Sequence, residues 1–163
     1  MRTIGTLYQV KGEFDEALKY FNQYASQFPE DPKSFTSIGG LYKEMADYEQ
    51  ANANYEKALL LDPRSVSVQL TLANIDSELG HFEQAFAQYQ EALAASASPK
   101  DKLDVYNALE KYYVKQGQIK KSIEYMHLKM AEMEKFSPPL LVLFRRISTL
   151  DSYVMAQCVI RFC

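Results

Sequence analysis

Apolar residues recur along this chain at two superimposed periods. The short period is helical. Ile38, Gly39, Tyr42 and Met45 share one face at i, i+1, i+4 and i+7, and Tyr48, Ala51, Tyr55 and Ala58 form a second stripe after a break at Ala46-Asp47. The long period is 34 residues: Phe14, Tyr48 and Phe82 obey it, as do Ala17, Ala51 and Ala85, and Phe21, Tyr55 and Tyr89. Gly5 and Gly39, with Ala73 next, keep the same step, and so do Pro29 and Pro63. After a three-residue insertion a fourth copy reads Leu109, Tyr113, Gly117, Ile119, Ser122 and Met126. The two periods together predict units of two short amphipathic helices over residues 1–31, 32–65, 66–102 and 103–136.

Local signals agree with these units. Asp31-Pro32, Ser98-Pro99 and Ser137-Pro138 each put a side-chain acceptor before a proline suited to a first helical turn. Asp47 with Gln50 is similar to a capping box, and Gly12, Gly80 and Gly117 stand where a left-handed residue would end a first helix. Gly39 and Ala51 allow two helix axes to approach within the ~8–10 Å of close packing. One such pair cannot bury its own apolar face, whereas a stack of pairs can.

These residues resemble the tetratricopeptide repeat. The second copy carries the resemblance best, reading Phe35-x-x-Ile38-Gly39-x-x-Tyr42, then Ala51-x-x-x-Tyr55, then Pro63. Ile4-Gly5-x-x-Tyr8 with Ala17-x-x-x-Phe21, and Leu72-Ala73 with Ala85-x-x-x-Tyr89, follow it. The resemblance implies an all-α, right-handed superhelical solenoid over residues 1–136. Four departures stand out: Tyr24 in the small slot of Ala58 and Ala92, Asp76 in the tyrosine slot, Glu110 in the glycine slot and Ser122 in the alanine slot. Residues 137–163 are expected to form a degenerate fifth repeat or a C-terminal capping or dimerisation helix. Val154, Met155, Val159 and Ile160 on that segment are candidates for self-association. The first helix is about a turn shorter than its siblings, which suits a piece of a longer chain.

Composition narrows the function. The 163 residues include 18 basic and 21 acidic side chains, a net charge of −3 that gives no basic footprint for nucleic acid. Cys158 and Cys163 are the two cysteines, so most of the chain cannot be held by disulfides and a reducing, cytoplasmic setting is expected. No apolar run reaches the 18 or so residues of a membrane span. Phosphate-binding glycine loops, nucleophile elbows and Cys-x-x-Cys pairs are absent. His81 and His127 lack partners at ligand spacing, so no enzyme, cofactor or metal role is expected. Most of the 21 Phe and Tyr residues occupy core slots, while Tyr20, Tyr112 and Tyr125 lie outside them and are expected nearer the surface.

In the family it resembles, first helices line a concave groove that holds another protein's peptide or helix. That implies a groove here built from Lys33, Thr36, Lys43, Thr71, Asn74, Asn107, Lys111 and Arg145. Asn74 and Asn107 suit an extended peptide backbone, because an amide both donates and accepts. The lysine, asparagine and arginine clamp by which some members grip chaperone tails maps to Arg2, Thr6, Ser37, Ser67 and Thr71. Just one of these is basic, so a co-chaperone role is disfavoured. The expected function is a non-catalytic protein-interaction scaffold. Its alternatives are a regulatory, assembly or dimerisation segment of a larger multidomain protein such as an enzyme, or a homodimer through the C-terminal region.

Overall fold

The computed structural model describes residues 1–135, and within them every regular element is an α-helix. They run α1 (Arg2–Lys11), α2 (Phe14–Gln27), α3 (Pro32–Glu44), α4 (Tyr48–Leu61), α5 (Val66–Leu79), α6 (Phe82–Ala95), α7 (Pro99–Lys115) and α8 (Ile119–Glu134). Odd and even helices pair within each unit, and each even helix also packs on the next odd one. Three apolar clusters result, and each spans a junction between units. Ala17 and Phe21 meet Ile38 and Leu41; Ala51, Tyr55 and Ala58 meet Val68, Leu72 and Ile75; Ala85, Tyr89 and Ala92 meet Val105, Leu109, Tyr112 and Tyr113. Burial shared with neighbours, with no central core, is the signature of a quasi-one-dimensional stack.

The helix ends follow the sequence signals, with more chemistry than those signals carried. Asp31 accepts from the Lys33 N–H, Asp47 from the Gln50 N–H, and Ser98 with Asp101 completes a reciprocal capping box. The three-residue insertion lengthens α7, which opens at Pro99, so a unit boundary at 102/103 falls inside that helix. Gly12, Gly80 and Gly117 adopt φ of 77°, 84° and 70° at the turns inside their units. The second unit makes the same turn with Ala46, at φ 60°. A left-handed non-glycine residue costs roughly 1–2 kcal/mol. Ala46→Gly is therefore expected to stabilise the chain by about 1 kcal/mol, read as a higher urea midpoint at unchanged slope.

Three of the four departures have side-chain partners, and the fourth is buried. Tyr24 does not enter the core as Ala58 and Ala92 do; its hydroxyl donates to Asp31 Oδ2 at 2.6 Å, bracing the N-cap of α3. Asp76 is buried with its Oδ1 3.3 Å from His81 Nδ1. Glu110, in the slot where two siblings carry glycine, pairs with Lys129 of α8 at 2.5 Å. Ser122 is buried in the alanine slot. Tyr112 corrects the expectation that it lies near the surface. It is 6% exposed, because it shares the register of Leu41 and Ile75, which face the preceding even helix. Tyr20 and Tyr125 are half-buried, stacked on Tyr8 and Tyr113 respectively.

The Tyr24 hydroxyl, and then the Lys33 N–H, hold the Asp31 carboxyl below its ordinary value of 3.8. The sign follows from linkage: a depressed folded-state pKa contributes stability above the ordinary value, lost as pH falls through the folded one. Tyr24→Phe should move the Asp31 carboxyl titration, followed by NMR, back toward 3.8. Below that range wild type and variant should converge in stability.

Candidate functional site

Odd helices of successive units touch one another and so lie along one face of the stack. α1 touches α3 and α5 touches α7, whereas α3 and α5 approach one another less closely. Two clefts lie along this face. The larger, about 400 Å³, lies between α3 and α5; the smaller, about 220 Å³, lies between α5 and α7. Residues 67, 71, 74 and 78 form one stripe of α5 at i, i+4, i+7 and i+11, so the clefts share a wall.

The predicted groove residues divide among these clefts. Lys33, Thr36 and Thr71 line the larger, and Asn74 and Lys111 line the smaller. Lys43 and Asn107 are exposed on α3 and α7 without lining either cleft. Arg145 and the self-association candidates Val154, Met155, Val159 and Ile160 lie outside the described residues, as does the expected fifth repeat.

The donor and acceptor inventory differs between the clefts. In the larger, Thr36 Oγ1 donates to the Lys33 carbonyl and Thr71 Oγ1 to the Ser67 carbonyl. Each hydroxyl has spent its proton on its own helix and turns acceptor lone pairs outward. Asp31 and Asp62 add two carboxylates against the single ammonium of Lys33. In the smaller cleft, Asn74 Oδ1 accepts from the Tyr89 hydroxyl at 2.6 Å, so the amide N–H groups are what Asn74 can still offer. Lys115 is 3.0 Å from Glu78 and also donates to the Ser77 carbonyl. Lys111 stands exposed with no ion-pair partner among the described residues.

The sequence reading missed the floors. Tyr55 lines the larger cleft and Tyr89 the smaller, one repeat apart in the same slot. Tyr55 is 7% exposed; its hydroxyl lies toward Gly40, where an added Cβ would sit 3.5 Å from Oη. One repeat on, Asn74 fills the position of Gly40 and takes the Tyr89 proton. Burial, and then the charge of Glu44, push the Tyr55 hydroxyl above its ordinary value, keeping it a donor at neutral pH. The signal was a hydroxyl-bearing ring in a slot where the first unit uses Phe21. Among the described residues no three His, Cys, Asp or Glu side chains gather to hold a metal, and no helix is long and apolar enough to cross a membrane.

Residues 32–65 match the family described as Tetratricopeptide repeat. This segment is a tetratricopeptide repeat. No curated protein matches the chain. Among solved structures it is similar to the MamA protein, with a TM-score of 0.67 at 14% identity over 82% of this chain and 72% of that one. The pilF protein of Pseudomonas aeruginosa gives 0.69 at 18% identity, covering 80% of this chain and 59% of that one. The TPR2B domain of yeast Sti1, solved as a complex with pHsp70, gives 0.63 at 20% identity, covering 72% and 93%. These likenesses establish the fold: an all-α, right-handed superhelical solenoid of tetratricopeptide-type helix-turn-helix units.

Proposed function

We propose that the chain is a non-catalytic scaffold that holds an extended segment of a partner protein along its inner face. The observation that carries this reading is the pair of clefts in series on the odd helices, walled by Lys33, Thr36 and Thr71 and then by Asn74 and Lys111. Both are open troughs lined by polar groups and floored by tyrosines, suited to a backbone with alternating side chains. Asn107 and Lys43 extend the polar surface beyond them.

The test compares two variants in affinity capture from native lysate. One carries Lys33→Glu, Asn107→Ala and Lys111→Glu, all exposed on odd helices; the other carries Glu56→Lys and Glu91→Lys, exposed on even helices. Circular dichroism should show both folded. The reading expects the first variant to lose specifically captured proteins that the second retains. Equal recovery by both would refute the inner-face assignment.

A further inference from the structure

We propose, resting on the inner-face reading above, that the partner segment is an extended peptide of mixed charge: a basic side chain enters the α3/α5 cleft, a carboxylate meets Lys111 in the α5/α7 cleft, and the Tyr55 hydroxyl binds the main chain between them. Three observations support it. The α3/α5 cleft is acceptor-rich. Asp62 carries a carboxylate with no hydrogen-bond or ion-pair partner among the described residues, Asp31 adds a second negative charge although its oxygens already accept from the Tyr24 hydroxyl and the Lys33 N–H, and the Thr36 and Thr71 hydroxyls have given their protons to their own helix. An ammonium or guanidinium group supplies the donors such a surface lacks.

The α5/α7 cleft is the reverse. Asn74 offers N–H groups because Tyr89 occupies its oxygen; Lys115 is already satisfied by Glu78, and Lys111 keeps an uncompensated charge. A carboxylate fits that inventory.

The third observation concerns the floor. Tyr55 is more than nine-tenths buried and lines the α3/α5 cleft, and among the described residues its hydroxyl has no hydrogen-bond partner. Its sibling Tyr89 is partnered by Asn74; at the corresponding place beside Tyr55 stands Gly40, which has no side chain. The gap left by Gly40 admits a peptide carbonyl to the donor. The hydroxyl keeps solvent access through the cleft, so water can hold its proton in the free chain and a bound carbonyl would take that water's place.

Geometry sets the spacing. The two clefts centre on points of α5 separated by roughly eight residues, or about 12 Å of helix rise. Crossing from one interhelical gap to the next adds roughly 9 Å. The resulting span of about 15 Å corresponds to four or five residues of extended chain.

The experiment uses the full chain and fluorescein-labelled peptides of about a dozen residues, of Ser, Ala and Asn, with two variable positions five apart. The pairs are Lys/Glu, Gln/Gln, Lys/Lys and Glu/Glu, followed by anisotropy and by amide shifts. The Lys/Glu peptide should bind about tenfold more tightly than Gln/Gln at low salt, the advantage shrinking in high salt. Lys111→Glu should transfer the preference to Lys/Lys, and Asp62→Lys should transfer it to Glu/Glu. Tyr55→Phe should weaken every peptide by a similar factor of about five, since it removes a main-chain contact. If Gln/Gln binds as tightly as Lys/Glu, with shifts confined to α3, α5 and α7, the mixed-charge inference is overturned while the inner-face reading stands. Shifts confined to even helices, or no binding by any peptide, overturn both.

Discussion

Tyr89→Ala should destabilise the chain by about 3–5 kcal/mol, whereas Tyr89→Phe should cost about 1 kcal/mol. Tyr89 is 1% exposed and sits where three elements meet. It belongs to α6, packs edge-on against Tyr112 of α7 at 5.4 Å between centroids, and donates its hydroxyl to Asn74 of α5. Truncation to alanine removes the ring and leaves a void bounded by Val105, Leu109 and Tyr113, which belong to the same cluster. Phenylalanine keeps the packing and loses one hydrogen bond. Because the array is stacked and not wrapped around one core, the damage should be local. Amide exchange should show α5–α8 losing protection well before α2–α4. Uniform loss of protection, or a Tyr89→Ala cost below 1 kcal/mol, would contradict the junction's place in the stack.

The same packing logic explains what the sequence could and could not show. The period was legible because a stack imposes the same burial on each unit, so Ala17, Ala51 and Ala85 are each 0% exposed. Tyr112 stands outside the tyrosine slot, which Tyr113 fills, and occupies the Leu41 and Ile75 slot, whose burial comes from the preceding unit and leaves no mark in the tyrosine period. Ala46 concealed a left-handed turn because three of the four turns advertise theirs with glycine. Glu110 looked like a packing fault, because its answer, Lys129, lies on the other helix of the pair.

Helical register placed Lys33, Thr36, Lys43, Thr71, Asn74, Asn107 and Lys111 on the odd helices, and the groove itself came from the family resemblance. Five of these residues line a cleft and Lys43 and Asn107 line neither, while their role in binding stands as a proposal. Register cannot say which hydroxyl protons are already committed, nor that a core-slot tyrosine is long enough to reach the surface past a glycine. Tyr55 and Tyr89 therefore read as filling alone, although one presents its hydroxyl to a cleft and the other orients Asn74.

Gly39→Leu should cost about 3 kcal/mol, while Gly39→Ala should leave stability within about 0.5 kcal/mol of wild type. A Cβ at residue 39 would lie 3.1 Å from Tyr55 Cδ2 and Cε2 and 3.2 Å from the Ala51 carbonyl oxygen. The Tyr55 ring is buried and the carbonyl belongs to the α4 backbone, so neither retreats easily. A single methyl needs a shift of a few tenths of an ångström, and the roughly 1 kcal/mol by which alanine outperforms glycine inside a helix offsets it. The third unit already carries the alanine: Ala73 is 0% exposed and belongs to the same cluster as Tyr89. Leucine adds three more carbons where no space exists, forcing α3 and α4 apart and uncovering the junction that Tyr55 makes with Val68, Leu72 and Ile75. Urea midpoints of the two variants decide the matter. If leucine were as harmless as alanine, the close approach of α3 and α4 would not be what glycine is doing at this position.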